Sequence, residues 1–130
     1  MPAHKKILLV DDDSDDQLFF TDALSEVNPD IECITAKNGL EAIVHLKTIS
    51  PMPTIIFLDL NMPFMNGFEC LAELQKENKF KNIPVVIYST SSNTIDVERT
   101  KEMGAKHFMT KPSDFNILKT KLREILSMEF

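Results

Sequence analysis

Apolar residues come along this chain in short runs of two kinds, and the two kinds alternate. Ile7 to Val10, Ile55 to Leu58 and Val85 to Tyr88 are continuous apolar stretches, the pattern of strands covered on both faces. Ile31 to Ala36 is short and β-prone, and His107 to Met109 is a weaker fifth strand. Between these runs the apolar positions fall at helical spacing. Ser14 and Gln17 read as a capping box, followed by Phe19, Ala23 and Val27 at i, i+4 and i+8. Asn38 with Glu41 caps a second helix carrying Ala42, Ile43 and Leu46. Asn66 with Glu69 opens a third, with Phe68, Leu71 and Leu74 turned inward. Asn93 caps a fourth, which Gly104 ends by taking the left-handed C-terminal conformation. A fifth starts near Phe115 and carries the stripe Leu118, Leu122, Ile125 and Leu126.

The result is β-α five times over, with no repeat, linker or low-complexity segment. Strict alternation with buried strands predicts an α/β fold, a doubly wound parallel sheet with helices on both faces. Ligand sites in such sheets lie at the carboxyl ends of the strands, near a topological switch point. The residues directly after each strand are therefore where chemistry is expected.

Asp11 and Asp12 follow the first run. Asp59 follows the third, then Leu60, Asn61, Met62 and Pro63; Ser89, Thr90 and Ser91 close the fourth; Lys111 and Pro112 come after the fifth. The second run contributes nothing comparable, which suits an edge strand. Three carboxylates, a hydroxyl and an ammonium thus converge on one edge of one sheet. Clustered carboxylates repel unless a cation neutralises them, and Mg²⁺ takes oxygen ligands of this type. A carboxylate held beside that ion can attack a phosphoryl group and form an acyl phosphate. The ion and a lysine neutralise the incoming oxygens while a hydroxyl donates to another.

Taken together, Val10-Asp11-Asp12, Leu58-Asp59-Leu60-Asn61-Met62-Pro63 with Gly67, Pro84-Val85-Val86-Ile87-Tyr88-Ser89 and Lys111-Pro112 resemble the receiver domain of two-component response regulators, of the CheY-like type. The resemblance runs from about Lys5 to Met128. Each motif alone is weak, and four in this order on a matching β-α pattern are highly specific. It implies a flavodoxin-like (βα)5 sandwich of three layers with strand order 2-1-3-4-5. It implies Asp59 as phosphoacceptor and a Mg²⁺ site of Asp11, Asp12, Asp59 and the backbone carbonyl of Asn61. Asp12 would bind the ion directly and Asp11 through water. Ser89 would be the switch hydroxyl, Lys111 the partner of Asp59 and of its phosphoryl group, and Phe108 the switch aromatic. Thr90 is auxiliary, as is Pro112, whose bond to Lys111 is expected to be cis. Asn61 and Ser91 fall where dephosphorylation is tuned.

This chain departs from the family pattern in places. Asp13, Asp15 and Asp16 enrich the acidic loop, Phe108 lacks the hydroxyl of the common Tyr, and His107 and Ser113 replace small and aromatic residues respectively. None removes an essential group. Asp15 and Asp16 read as anions decorating a helix N-terminus, which its dipole favours.

Charge and composition narrow the picture further. The 130 residues are 43% hydrophobic and 26% charged, as expected of one ordinary domain spanning 1–130 with its core at about 5–128. No output domain follows the last helix in this reading. The net charge of -6, with no basic stripe, argues against nucleic acid and anionic membranes. The apolar run after the N-terminal lysines is too short for a signal peptide or a membrane span, so a cytoplasmic protein is expected. Cys33 and Cys70 lack metal spacing and read as buried free thiols.

Rival readings fit less well. Asp11, Asp13 and Asp15 have EF-hand spacing with Asp22 at the twelfth position, but Asp16 stands where that loop needs Gly. A haloacid-dehalogenase-like phosphatase would need a second carboxylate two residues after Asp59, where Asn61 stands. A flavodoxin would carry a phosphate loop after the first strand, where this chain has acids.

The resemblance implies a switch, not an enzyme with an external substrate. A sensor histidine kinase or histidine phosphotransfer protein would supply the phosphoryl group, and the domain would catalyse its own transfer. The fourth helix, fifth strand and fifth helix would then change their surface to control a downstream partner, as a monomer or a phosphorylation-sensitive dimer. The alternative is an adaptor that uses the receiver fold without phosphorylation.

Overall fold

The computed structural model describes residues 4–128 and 130, and strands and helices alternate along them. In order these are β1 (Lys6–Val10), α1 (Ser14–Val27), β2 (Glu32–Ala36), α2 (Gly39–Thr48), β3 (Ile55–Leu58), α3 (Gly67–Lys76), β4 (Val85–Ser89), α4 (Thr94–Glu102), β5 (His107–Thr110) and α5 (Phe115–Leu126). All strand pairs are parallel, in the order β2-β1-β3-β4-β5. The expected doubly wound order is therefore the one found. No helix of the described residues is long and apolar enough to cross a membrane.

Alternation along each strand divides the core into two layers. Ile7, Leu9, Ile55, Phe57, Val86 and Tyr88 face α1 and α5, meeting Phe20, Ala23, Leu24, Leu118, Leu122 and Ile125. Leu8, Val10, Ile56, Leu58, Val85 and Ile87 face the other way, onto Ala42 and Leu46 of α2 and Cys70, Leu71 and Leu74 of α3. Each such side chain contributes about 1.5–3 kcal/mol by leaving water. β1, β3 and β4 lie inside the sheet and are buried almost throughout, while edge strand β2 is mostly half-buried. This is why the inner strands read as unbroken apolar runs.

Three local expectations change. The N-cap of α1 is Asp13, whose carboxylate accepts the N–H groups of Asp15 and Asp16. Ser14 is already the first helical residue, because the chain needs two residues after the buried Asp11 to leave the sheet edge before turning. The fully buried stripe of α1 is Phe20, Ala23 and Leu24, with Phe19 and Val27 half-buried beside it. Cys70 is buried and Cys33 half-buried, both as free thiols that burial pushes up to about 12.

The other caps form as expected. Asn38 accepts from Glu41 N–H, Asn93 from Asp96 N–H, and Asn66 with Glu69 makes a complete capping box. Gly104, just past the Met103 C-cap of α4, has φ +107°, the left-handed state that favours glycine.

Candidate functional site

β2 and β3 flank β1 on opposite sides, so the crevice at the carboxyl end of β1 and β3 is the topological switch point of the sheet. Backbone hydrogen bonds continue the ladders one residue past the strands: Asp11 N–H donates to Ala36 O and Asp59 N–H to Val10 O, both at 2.9 Å. These bonds fix the two carboxylates side by side. Gln17 Nε2 donates to Asp11 O and Ala36 O and ties α1 to the same edge.

Carboxylate oxygens of Asp11, Asp12 and Asp59 lie within 4.8 Å of one another. Asp11 is fully buried, Asp59 nearly so at 5% exposed, and Asp12 opens to solvent. Lys111 enters from the end of β5. Its Nζ lies 2.8 Å from Asp11 Oδ2, 2.9 Å from Asp16 Oδ2 and 3.2 Å from Asp59 Oδ2. The last two contacts are hydrogen bonds. Asp11 Oδ1 accepts from Asp13 N–H, but its Oδ2 has no aligned hydrogen-bond donor despite the nearby ammonium. Nζ also lies 5.3 Å from the centroid of the buried Tyr88 ring, a cation–π contact from below.

Burial dominates the electrostatics. It pushes the Asp11 carboxyl up to about 6, against the lowering pull of Lys111 and the Asp13 N–H. Burial raises Asp59 as well, again opposed by Lys111. For Lys111, burial acts to lower the ammonium, yet contact with Asp11 and Asp16 and the charge of Asp59 hold it above its ordinary value. One lysine among four carboxylates leaves the pocket negative. An all-oxygen donor set and excess negative charge fit a hard divalent cation.

The surroundings complete the site. Ser89 is fully buried at the end of β4. Its backbone O accepts Lys111 N–H at 2.7 Å, and its Oγ accepts Ser91 N–H at 3.3 Å. Thr90 beside it is exposed. Asn61 N–H donates to Asp59 Oδ1 at 3.4 Å, holding the loop after β3 against that carboxylate. Gly67 begins α3 directly against that loop: its N–H donates to Leu60 O, and a Cβ there would collide with the Asp59 carbonyl and come 2.6 Å from Leu60 Cα.

Phe108 is not in the acidic pocket. It is half-buried on the α2–α3 side of the sheet and lines a cavity of about 440 Å³ with Val97, Thr100 and Ala105. By strand alternation it shares that side with Ser89, since Ile87 lies there too.

The cis bond expected before Pro112 is a correction. Among the described residues the cis peptide is Ser50–Pro51, and Lys111–Pro112 is trans. Trans is the lower-energy form of an X–Pro bond by about 0.5–1 kcal/mol, and with it Lys111 already reaches all three carboxylates. Asp16 lies in the first turn of α1, as expected, and its carboxylate also reaches Lys111, a contact beyond that expectation.

A family model, the response regulator receiver domain, matches residues 7–123. The chain is 38% identical over 112 residues to the response regulator Rcp1 of Synechocystis sp., covering 82% of this chain and 76% of that protein. It is 31% identical over 128 residues to the sensor histidine kinase CheAY of Helicobacter pylori, covering 98% of this chain but 16% of that protein. The crystal structure of the phosphorylated cyanobacterial phytochrome response regulator RcpA matches with a TM-score of 0.87 at 34% identity over 98% of both chains. The Mn²⁺-bound form of Rcp1 matches with a TM-score of 0.85 at 32% identity over 97% of each.

Proposed function

The chain belongs to the response regulator receiver domain family, and on that premise we propose that it takes a phosphoryl group on Asp59 with Mg²⁺ bound beside it. Members of this family are phosphorylation-dependent signalling switches. The observation that carries the reading is the convergence of Asp11, Asp12 and Asp59 with Lys111 bonded to Asp59. Asp11, Asp12, Asp59 and the Asn61 carbonyl would hold the ion. Once bound, it neutralises the carboxylates and the phosphoryl oxygens, so that two anions can meet.

In the transfer an Asp59 oxygen attacks phosphorus, the P–N bond of a donor phosphohistidine breaks, and the imidazole leaves with the bonding pair. Lys111 keeps its ammonium on the acceptor side and pairs with a phosphoryl oxygen. Ser89, buried one strand away, is the hydroxyl drawn toward the new charge. Phe108 follows into the space between α4 and β5, and the α4–β5–α5 surface changes for a downstream partner. This is a two-state element biased by a local charge. The donor is a sensor histidine kinase or a phosphotransfer protein, and the domain turns over no external substrate. Signalling of this kind places it in the cytoplasm.

The test is intact mass after incubation with Mg²⁺ and a small acyl phosphate. Wild type should gain one phosphoryl group, and neither Asp59→Asn nor chelator-treated protein should gain any. A folded wild type that gains nothing favours the adaptor reading.

A further inference from the structure

Asp13 already caps α1 with its carboxylate, so the helix end does not require a second acid in its first turn. Asp16 instead reaches across the site to Lys111, where its Oδ2 accepts a hydrogen bond from Nζ at 2.9 Å. Asp15, its neighbour on the helix, makes no such contact among the described residues. We propose that Asp16 is a positioning residue for phosphoryl transfer, which anchors the Lys111 ammonium at the pocket mouth when Asp11 and Asp59 are engaged by a cation. The proposal rests on the phosphoacceptor reading above and adds a residue to it.

The ammonium has three N–H donors, and three carboxylates surround it. Two of these, Asp11 and Asp59, belong to the cluster that fits a metal ion, and Asp16 does not. Asp11 and Asp59 would give up part of their charge to a divalent cation held by that cluster, and such a cation would repel the ammonium. Asp16 is then the carboxylate whose charge remains committed to Lys111. It occupies one N–H and leaves others for Asp59 and a phosphoryl oxygen, so anchoring does not compete with the reaction. Asp16 is half-exposed, where Asp11 is fully buried.

The test compares Asp16→Ala, Asp16→Asn and Asp16→Glu at saturating Mg²⁺ with a small acyl phosphate as donor. Loss of one charge-assisted, partly exposed contact should slow phosphorylation by about threefold to tenfold in Ala and Asn, with partial rescue in Glu. In a Lys111→Ala background, Asp16→Ala should have no further effect, because the contact it removes is already gone. An unchanged rate in Asp16→Ala, or an undiminished effect without Lys111, overturns the proposal. A second arm needs no phosphate. In Mg²⁺-saturated ¹⁵N-labelled protein the Lys111 ammonium signal should be visible in wild type and exchange-broadened in Asp16→Ala, and a signal that persists unchanged refutes the anchor. If wild type accepts no phosphoryl group the phosphoacceptor reading fails, and the ammonium signal alone then decides on Asp16.

Discussion

Asp11 is the residue on which the pocket's electrostatics turn. Its carboxyl is fully buried and raised from the ordinary 3.8 to about 6, so the folded state holds a proton that the unfolded chain has lost. In metal-free protein the contribution of this group to stability is therefore full below about pH 3.8 and declines as pH rises to about 6, with Asp59 acting in the same direction. Two units correspond to about 3 kcal/mol at most. Urea midpoints at pH 5 and 7.5 should show the decline, Mg²⁺ should reverse it, and Asp11→Asn should flatten it. A second residue-scale prediction concerns Phe64, 83% exposed with φ 65° in a turn closed by Met65 N–H on Pro63 O. The left-handed state costs a non-glycine residue about 1–2 kcal/mol, and glycine costs about 0.5–1 kcal/mol in chain entropy. Phe64→Gly should thus raise stability by up to about 1 kcal/mol in thermal or urea unfolding. At this scale Asp11, Asp59 and Lys111 were legible because a polar residue directly after a buried strand has one place to go. Asp13 and Asp16 were not, since which acid caps and which reaches Lys111 depends on where the chain turns and on a partner ninety-five positions away.

Among the elements, α3 is the one that sets the loop after β3. Its first residue must be glycine, because a Cβ would strike the Asp59–Leu60 backbone. Gly67→Ala should cost about 1–3 kcal/mol from overpacking, despite the roughly 1 kcal/mol better helix propensity of alanine. It should also slow phosphorylation, because the loop carrying Asp59 has to move. Asn66→Ala, which removes the capping box one residue earlier, should cost only about 1 kcal/mol and leave the acceptor in place. Unfolding midpoints and phosphorylation rates of the two variants check the contrast. The strands were legible to within a residue or two because parallel strands under helices must be apolar on both faces. β5 was the faintest, as it lies at an edge with half-buried His107 and Phe108 and exposed Thr110. The inner stripe of α1 was legible in part: Ala23 is buried as expected, but Phe19 and Phe20 both suit an apolar face and only packing against Phe57 and Tyr88 selects Phe20.

At the scale of the molecule, two apolar layers hold a five-stranded sheet rigid and leave its charged chemistry at one edge. The strand order followed from the β-α alternation and the family resemblance together, whereas the trans bond at Pro112 lay beyond both. A net charge of -6 suits a protein whose partners are other proteins and whose site must attract a cation. In the proposed switch, a charge added at Asp59 would act on β4 and β5 through Ser89 and Lys111, whose backbones are hydrogen-bonded to each other. The central claim is that this charge arrives on Asp59. Borohydride reduction of the protein after incubation with Mg²⁺ and acyl phosphate tests it most directly, since an aspartyl phosphate is reduced to homoserine where it formed. Peptide mass mapping should find homoserine at position 59 alone, and none when chelator is present. Homoserine at Asp11, Asp12 or Asp16, or an unmodified Asp59 in protein that has gained a phosphoryl group, would contradict the account.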